Sequence, residues 1–138
     1  MKRFDAIIIG AGQAGPSLAG RLTAAAMTVA FVGRAGSTDR EARSTGRPLL
    51  TSTRPMTRVG RAVEKGETQG FMKVVVDAET RRILGAAILG TSGDEAIHGI
   101  LDIMNAGVPY DVLQRAVPIH PTVSELIPTL LGGLHPVR

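Results

Sequence analysis

A glycine-rich turn directly after an apolar run constrains this chain most. Ala6-Ile7-Ile8-Ile9 is continuous and apolar, as strands covered on both faces of a parallel sheet are. Gly10-Ala11-Gly12-Gln13-Ala14-Gly15 follows at once. Pro16 to Ala26 then reads as a helix, with Leu18, Ala19 and Leu22 on one stripe. Pro16 falls in its first turn, where the missing N–H does no harm. Thr28 to Val32 is a second β-rich run, so the order is strand, turn, helix, strand. In such a turn Gly10 permits the tight bend, Gly12 lets the backbone approach a pyrophosphate, and Gly15 lets the helix pack on the strand. The helix N-terminus offers free N–H groups to the anion. The spacing and its context fit a dinucleotide turn; they also fit a strand-to-helix turn with no ligand.

A dinucleotide site further needs an acid about 20 residues on, to hold the ribose hydroxyls. That position falls at about Gly33, within Val29-Ala30-Phe31-Val32-Gly33-Arg34. Asp39 and Glu41 lie too far along, in a polar segment. From Gly33 to Ser52 the chain is Arg-rich and punctuated by glycine, and it reads as the chief boundary. A short helix over Thr38 to Ser44, capped by Ser37, is expected inside it.

Beyond the boundary the pattern is antiparallel. Strands are expected over Thr57 to Glu64, Phe71 to Asp77 and Ile83 to Leu89, the last two joined by a hairpin-length loop. Gly85, Ala86 and Ala87 are small enough for another element to pack closely there. Ile97, Ile100, Leu101 and Met104 then recur at helical spacing, with Asp94 and Glu95 in the first turn and Asn105-Ala106-Gly107 as the stop. A short helix over Pro109 to Ala116 follows. A last one carries Leu126, Ile127, Leu130 and Leu131 to Gly132-Gly133.

Composition removes several function classes. The 138 residues include no cysteine, which excludes a disulfide framework, a thiolate metal site and dithiol chemistry carried by this chain. No set of histidines and acids has metal-ligand spacing, and His98 and His135 stand alone. With 3% aromatics the core must be aliphatic. The net charge of +4 is concentrated between Arg34 and Lys65. No aromatic residue is interleaved from Gly33 to Gly70, so there is no platform for stacking bases. The arginines read as solvated surface, with no nucleic-acid partner expected. No apolar stretch approaches the roughly 20 residues of a membrane helix. The first apolar run breaks too early for a signal peptide, so a cytoplasmic protein without a membrane partner is expected.

His120-Pro121-Thr122-Val123-Ser124-Glu125 is the second informative cluster. A carboxylate five residues after a histidine can reach back across a helix start and fix the imidazole tautomer, as a general base needs. The same residues also make an ordinary helix entry, with Thr122 or Ser124 at the cap and Glu125 in the first turn.

Together the two clusters give the chain a resemblance to the pyridine nucleotide-disulfide oxidoreductases, the family of dihydrolipoamide dehydrogenase, glutathione reductase and mercuric reductase. Phe4 to Gly15 resembles the start of the family's FAD-binding domain. Gly70 to Asp77, Ile83 to Ala86, Gly93 to His98 and His120 to Glu125 resemble its C-terminal dimerisation domain. The resemblance implies an α+β fold: an antiparallel sheet with helices over residues 31–138, preceded by an incomplete Rossmann-like βαβ unit over residues 1–30. Gly10, Gly12 and Gly15 match the FAD pyrophosphate turn, His120 the acid–base histidine, and Glu125 the carboxylate that orients it. The family's middle is missing: the redox cysteine pair, the NAD(P)H-binding domain and the segment that completes the FAD site. A homodimerising, catalytically incomplete chain with weak or no FAD binding is therefore expected. The alternative is a flavoprotein of this family that keeps FAD and some NAD(P)H-linked redox activity.

Overall fold

The computed structural model of the chain describes residues 5–9, 18, 21–22, 24–27 and 29–137. Its centre is a sheet of six strands: β1 (Ala6–Ile9), β2 (Val29–Gly36), β3 (Leu49–Pro55), β4 (Phe71–Asp77), β5 (Ile83–Leu89) and β6 (His135–Pro136). They lie in the order β1-β2-β5-β4-β3-β6. From β2 to β6 every pairing is antiparallel, and β1 adds a parallel strand beyond β2.

Alternation along the strands divides the sheet into two faces. Met72, Val74 and Val76 of β4 are fully buried on one face, with Ile88 and Ala86 of β5 and Ala35 of β2 beside them. The long helix α3 (Gly93–Ala106) packs there on β2 and β5, and α5 (Ile127–Gly132) packs on β3 and β4. Ile97 and Ile100 are buried, and Leu101 and Met104 pack against the same core, so the apolar stripe of α3 faces inward. The helix stops at Gly107, whose φ of 65° is a left-handed C-cap that suits glycine. The core is aliphatic and methionine-filled, while Phe71 remains 39% exposed. The opposite face is covered in part by α1 (Asp39–Ser44), which buries Ala42 against Leu49 and Val75.

Three expectations from the sequence need revision. Thr57 to Glu64 is not a strand: Met56–Arg58 is a 3-10 turn and Gly60–Glu64 is a helix, α2. Met56, Val59 and Ala62 are all fully buried, and their three-residue spacing makes one helical face rather than the alternation a strand requires. The strand lies earlier, over Leu49–Pro55, whose Thr, Ser, Arg and Pro residues disguised it. The cap of α1 is Thr38, not Ser37. Its hydroxyl accepts from the Glu41 amide at 3.2 Å, and the Glu41 carboxylate accepts from the Thr38 amide at 2.6 Å, a closed capping box. The Ser37 amide is committed to the carbonyl of Leu84. Lastly, the second β-rich run does not end at Val32. Strand β2 continues to Gly36, and Val32 to Gly36 pair with Leu89 to Gly85 of β5. The first strand is thereby docked onto the edge of the larger sheet. Of the helix expected over Pro16 to Ala26, Leu18, Arg21, Leu22 and Ala24 are helical among the described residues, and Leu18 is 48% exposed.

Candidate functional site

The His120 loop leaves a short helix α4 (Asp111–Gln114) and re-enters the core through Val123 and Leu126, both buried. Between these anchors Val117 and Ile119 are 95% and 81% exposed. The loop therefore owes its shape to polar contacts. The Thr122 hydroxyl donates to the Ile119 carbonyl at 2.7 Å, and the His120–Pro121 peptide is cis.

Here the structure brings the two expected residues together. Nδ1 of His120 lies 2.6 Å from Oε2 of Glu125. A carboxylate only accepts, so Nδ1 carries the proton and Nε2 is left as the basic nitrogen in the neutral ring. The Thr122 amide donates to the same Oε2 at 3.3 Å. The second oxygen, Oε1, accepts from the amide of Gly60 at 3.2 Å. Burial pushes the Glu125 carboxyl upward, but the His120 contact and the amides of Thr122 and Gly60 outweigh it and hold the carboxyl below the usual glutamate range. The imidazole itself is 77% exposed while Glu125 is 18% exposed. The pair is thus anchored at its acidic end and open at its working end. It can take or give a proton at Nε2 to a group approaching from outside.

Two neighbours of this pair are not legible in the sequence. Arg61 donates to the Pro121 carbonyl from Nη2 at 2.9 Å and from Nε at 3.3 Å. Gly60 supplies the amide already described. Both sit at the start of α2, about sixty residues upstream, and no local signal ties them to His120. Arg61 belonged, on sequence grounds, to the basic surface between Arg34 and Lys65. That surface is less free than its composition suggests. Arg47 pairs with the buried Asp77 at 2.9 Å, Arg43 with Asp39 at 3.4 Å, and Lys65 with Glu67 at 2.8 Å.

A cleft of about 430 Å³ opens on the Arg61 side of the loop, lined among others by Lys65, Ser92, Glu95 and Ser124. Neither His120 nor Glu125 lines it. His98 and His135 are exposed and lie apart from the pair. Among the described residues no group of three or more His, Cys, Asp or Glu could hold a metal ion, and no helix is long and apolar enough to cross a membrane.

Gly10, Gly12 and Gly15, the turn expected to take a pyrophosphate, lie outside the described residues. The ribose end of such a site can be tested, and it does not fit. Where an acid at the end of β2 should meet the ribose, Gly33 is buried in mid-strand against α3, and the strand runs on to Gly36 as a partner of β5.

Fold and pair define the class: an α+β domain with helices packed on an antiparallel sheet, which presents a hydrogen-bonded histidine–glutamate pair at its surface. The chain belongs to the pyridine nucleotide-disulphide oxidoreductases through their dimerisation domain, whose family model matches residues 22–131. It is 34% identical over 99 residues to the probable pyridine nucleotide-disulfide oxidoreductase RclA of Escherichia coli, covering 72% of this chain and 22% of that protein. A dihydrolipoyl dehydrogenase of Corynebacterium glutamicum is 34% identical over 88 residues, 64% of this chain and 19% of the relative. The solved structure of the HOCl-induced flavoprotein disulfide reductase RclA superposes with a TM-score of 0.71, covering 73% of this chain and 23% of that one at 34% identity. The chain thus spans about a fifth of the length of the curated relatives it matches.

Proposed function

We propose that this chain acts as a homodimerising module that displays the His120–Glu125 pair and performs no disulfide reduction by itself. The observation that carries the reading is the coincidence, on one loop, of an oriented but open imidazole and two almost fully exposed apolar side chains, Val117 and Ile119. An apolar pair left in water beside an acid–base group is what an interface loop looks like before its partner is added. Two copies would meet about a two-fold axis, each burying the loop of the other.

The absence of cysteine supports the second half of the proposal, since the chain has no thiol to pass electrons from a flavin. Residues 1–30 are read as a remnant of the FAD-binding unit and residues 31–138 as the dimerisation domain. The parent family's FAD is not expected to bind productively, because the ribose end of its site is taken up by β2, and NAD(P)H is not expected because the family's separate domain for it has no counterpart in these residues. The site of action is read as cytoplasmic.

Light scattering coupled to size-exclusion chromatography tests dimerisation directly. A mass of two chains at micromolar concentration is expected, and a strict monomer would overturn it. A visible spectrum taken after incubation with excess FAD and removal of free cofactor tests the other half. No flavin band is expected. A band near one flavin per chain, with NAD(P)H-dependent dye reduction lost in His120→Ala, would establish the flavoenzyme alternative.

A further inference from the structure

We propose that Gly60 and Arg61 are positioning residues for the His120–Glu125 pair, each holding a different end of it. The inference rests on the reading of that pair as an acid–base group. The loop fixes the imidazole only through its own polar contacts, the Thr122 hydroxyl on the Ile119 carbonyl and the Glu125 carboxylate on His120 and the Thr122 amide. Arg115, Ala116, Val117, Ile119 and His120 are all exposed. The remaining hold comes from α2. The Arg61 guanidinium reaches the carbonyl of Pro121, the residue bonded to His120, with two of its N–H groups. Both N–H groups converge on that one oxygen, which ties the loop backbone beside His120 to α2.

The Gly60 amide acts on the other end. Glu125 has two oxygens, and the imidazole and the Thr122 amide both use Oε2. Only the Gly60 amide restrains Oε1 by a hydrogen bond among the contacts described. Without it the carboxylate can turn about its last torsion and take Oε2 away from Nδ1. The residue must also be small. A Cβ at position 60 would sit 2.8 Å from Oε1, so even a methyl would push the carboxylate, while it would meet Cε1 of His120 at an ordinary 3.7 Å. The platform itself is rigid, since Val59 and Ala62 on either side are fully buried. A helix placed far upstream thus sets the orientation in which Nε2 is presented.

The test reads the tautomer of His120 in the intact ¹⁵N-labelled chain, and needs no catalytic activity. Side-chain nitrogen–proton correlation spectra are recorded at about pH 9, where an imidazole is neutral, and His120→Gln identifies the signals. One Nδ1-protonated form is expected for the unsubstituted protein. Gly60→Ala and Arg61→Ala should each shift the ring toward the mixture of a free imidazole. Arg61→Lys, which can still donate to the Pro121 carbonyl, should restore most of the single form. An unchanged tautomer in both alanine variants would overturn the proposal, as would a lysine variant scrambled to the same degree as Arg61→Ala. Should Gly60→Ala fail to fold, the two Arg61 variants decide, because that side chain is largely at the surface. A monomer with a single tautomer would refute the dimer and leave this inference standing. A dimer with a mixed tautomer in the unsubstituted protein would do the reverse.

Discussion

Glu125 stands 2.6 Å from Nδ1 of His120 with its own side chain mostly out of water. Its carboxyl is held below the ordinary glutamate value of 4.5. The folded state therefore binds fewer protons at this group than the unfolded state does, and stability rises with pH across that window. The contribution is complete above about 4.5 and is lost as pH falls through the depressed folded value. Urea unfolding at a series of pH values should show a Glu125→Gln variant with a flatter profile below that point. Equal acid slopes in the two proteins would mean the pair adds no stability.

Asp77 closes the β4–β5 hairpin in the same manner. It is 1% exposed, and its Oδ1 accepts from the amides of Thr80 at 3.0 Å and Glu79 at 2.9 Å, while Oδ2 meets Arg47. Losing hydrogen bonds to a charged acceptor costs about 1.5–3 kcal/mol. Asp77→Ala should destabilise by that amount in chemical denaturation. Asp77→Asn, which keeps an oxygen for both amides, should cost less.

The exposed apolar pair on the His120 loop bears on assembly. Ile119→Asp would place a charge where a second copy is expected to bury a methyl-rich surface. Its dissociation constant should rise at least about tenfold, equivalent to about 1.4 kcal/mol. Sedimentation over a concentration series would measure it. The melting temperature at a concentration where both proteins are monomeric should be unchanged, because Ile119 is 81% exposed within one chain.

Gly33 tests the docking of α3 on the sheet. A Cβ there would overlap the carbonyl of Gly93 in the first turn of α3 and crowd Ile97. Gly33→Ala should therefore cost about 1–3 kcal/mol, the usual range for overpacking a tight contact. A stability within error of the parent would show that α3 can shift outward freely.

The elements legible in the sequence were those with a clean local period. Strands β4 and β5 span Phe71–Asp77 and Ile83–Leu89, the same residues that alternation and turn signals predict. Helix α3 ends at the glycine its pattern indicates. Strand β3 was lost because Leu49–Pro55 carries Thr, Ser, Arg and Pro, whose pairing depends on β4 and β6 and not on its own apolar content. Helix α2 was misread because its five residues, Gly60–Glu64, carry too little period to separate helix from strand.

Chemistry and composition were readable from the residues alone. Those are an aliphatic core, the lack of any thiol, and a histidine with a carboxylate five residues on. Folding alone set which distant groups act on that histidine and where the first strand goes. Arg61 and Gly60 reach the pair across about sixty residues, and β2 joins β1 to β5 by backbone hydrogen bonds. Such contacts leave no periodic trace, because a backbone amide or carbonyl is the same group at every position along a chain.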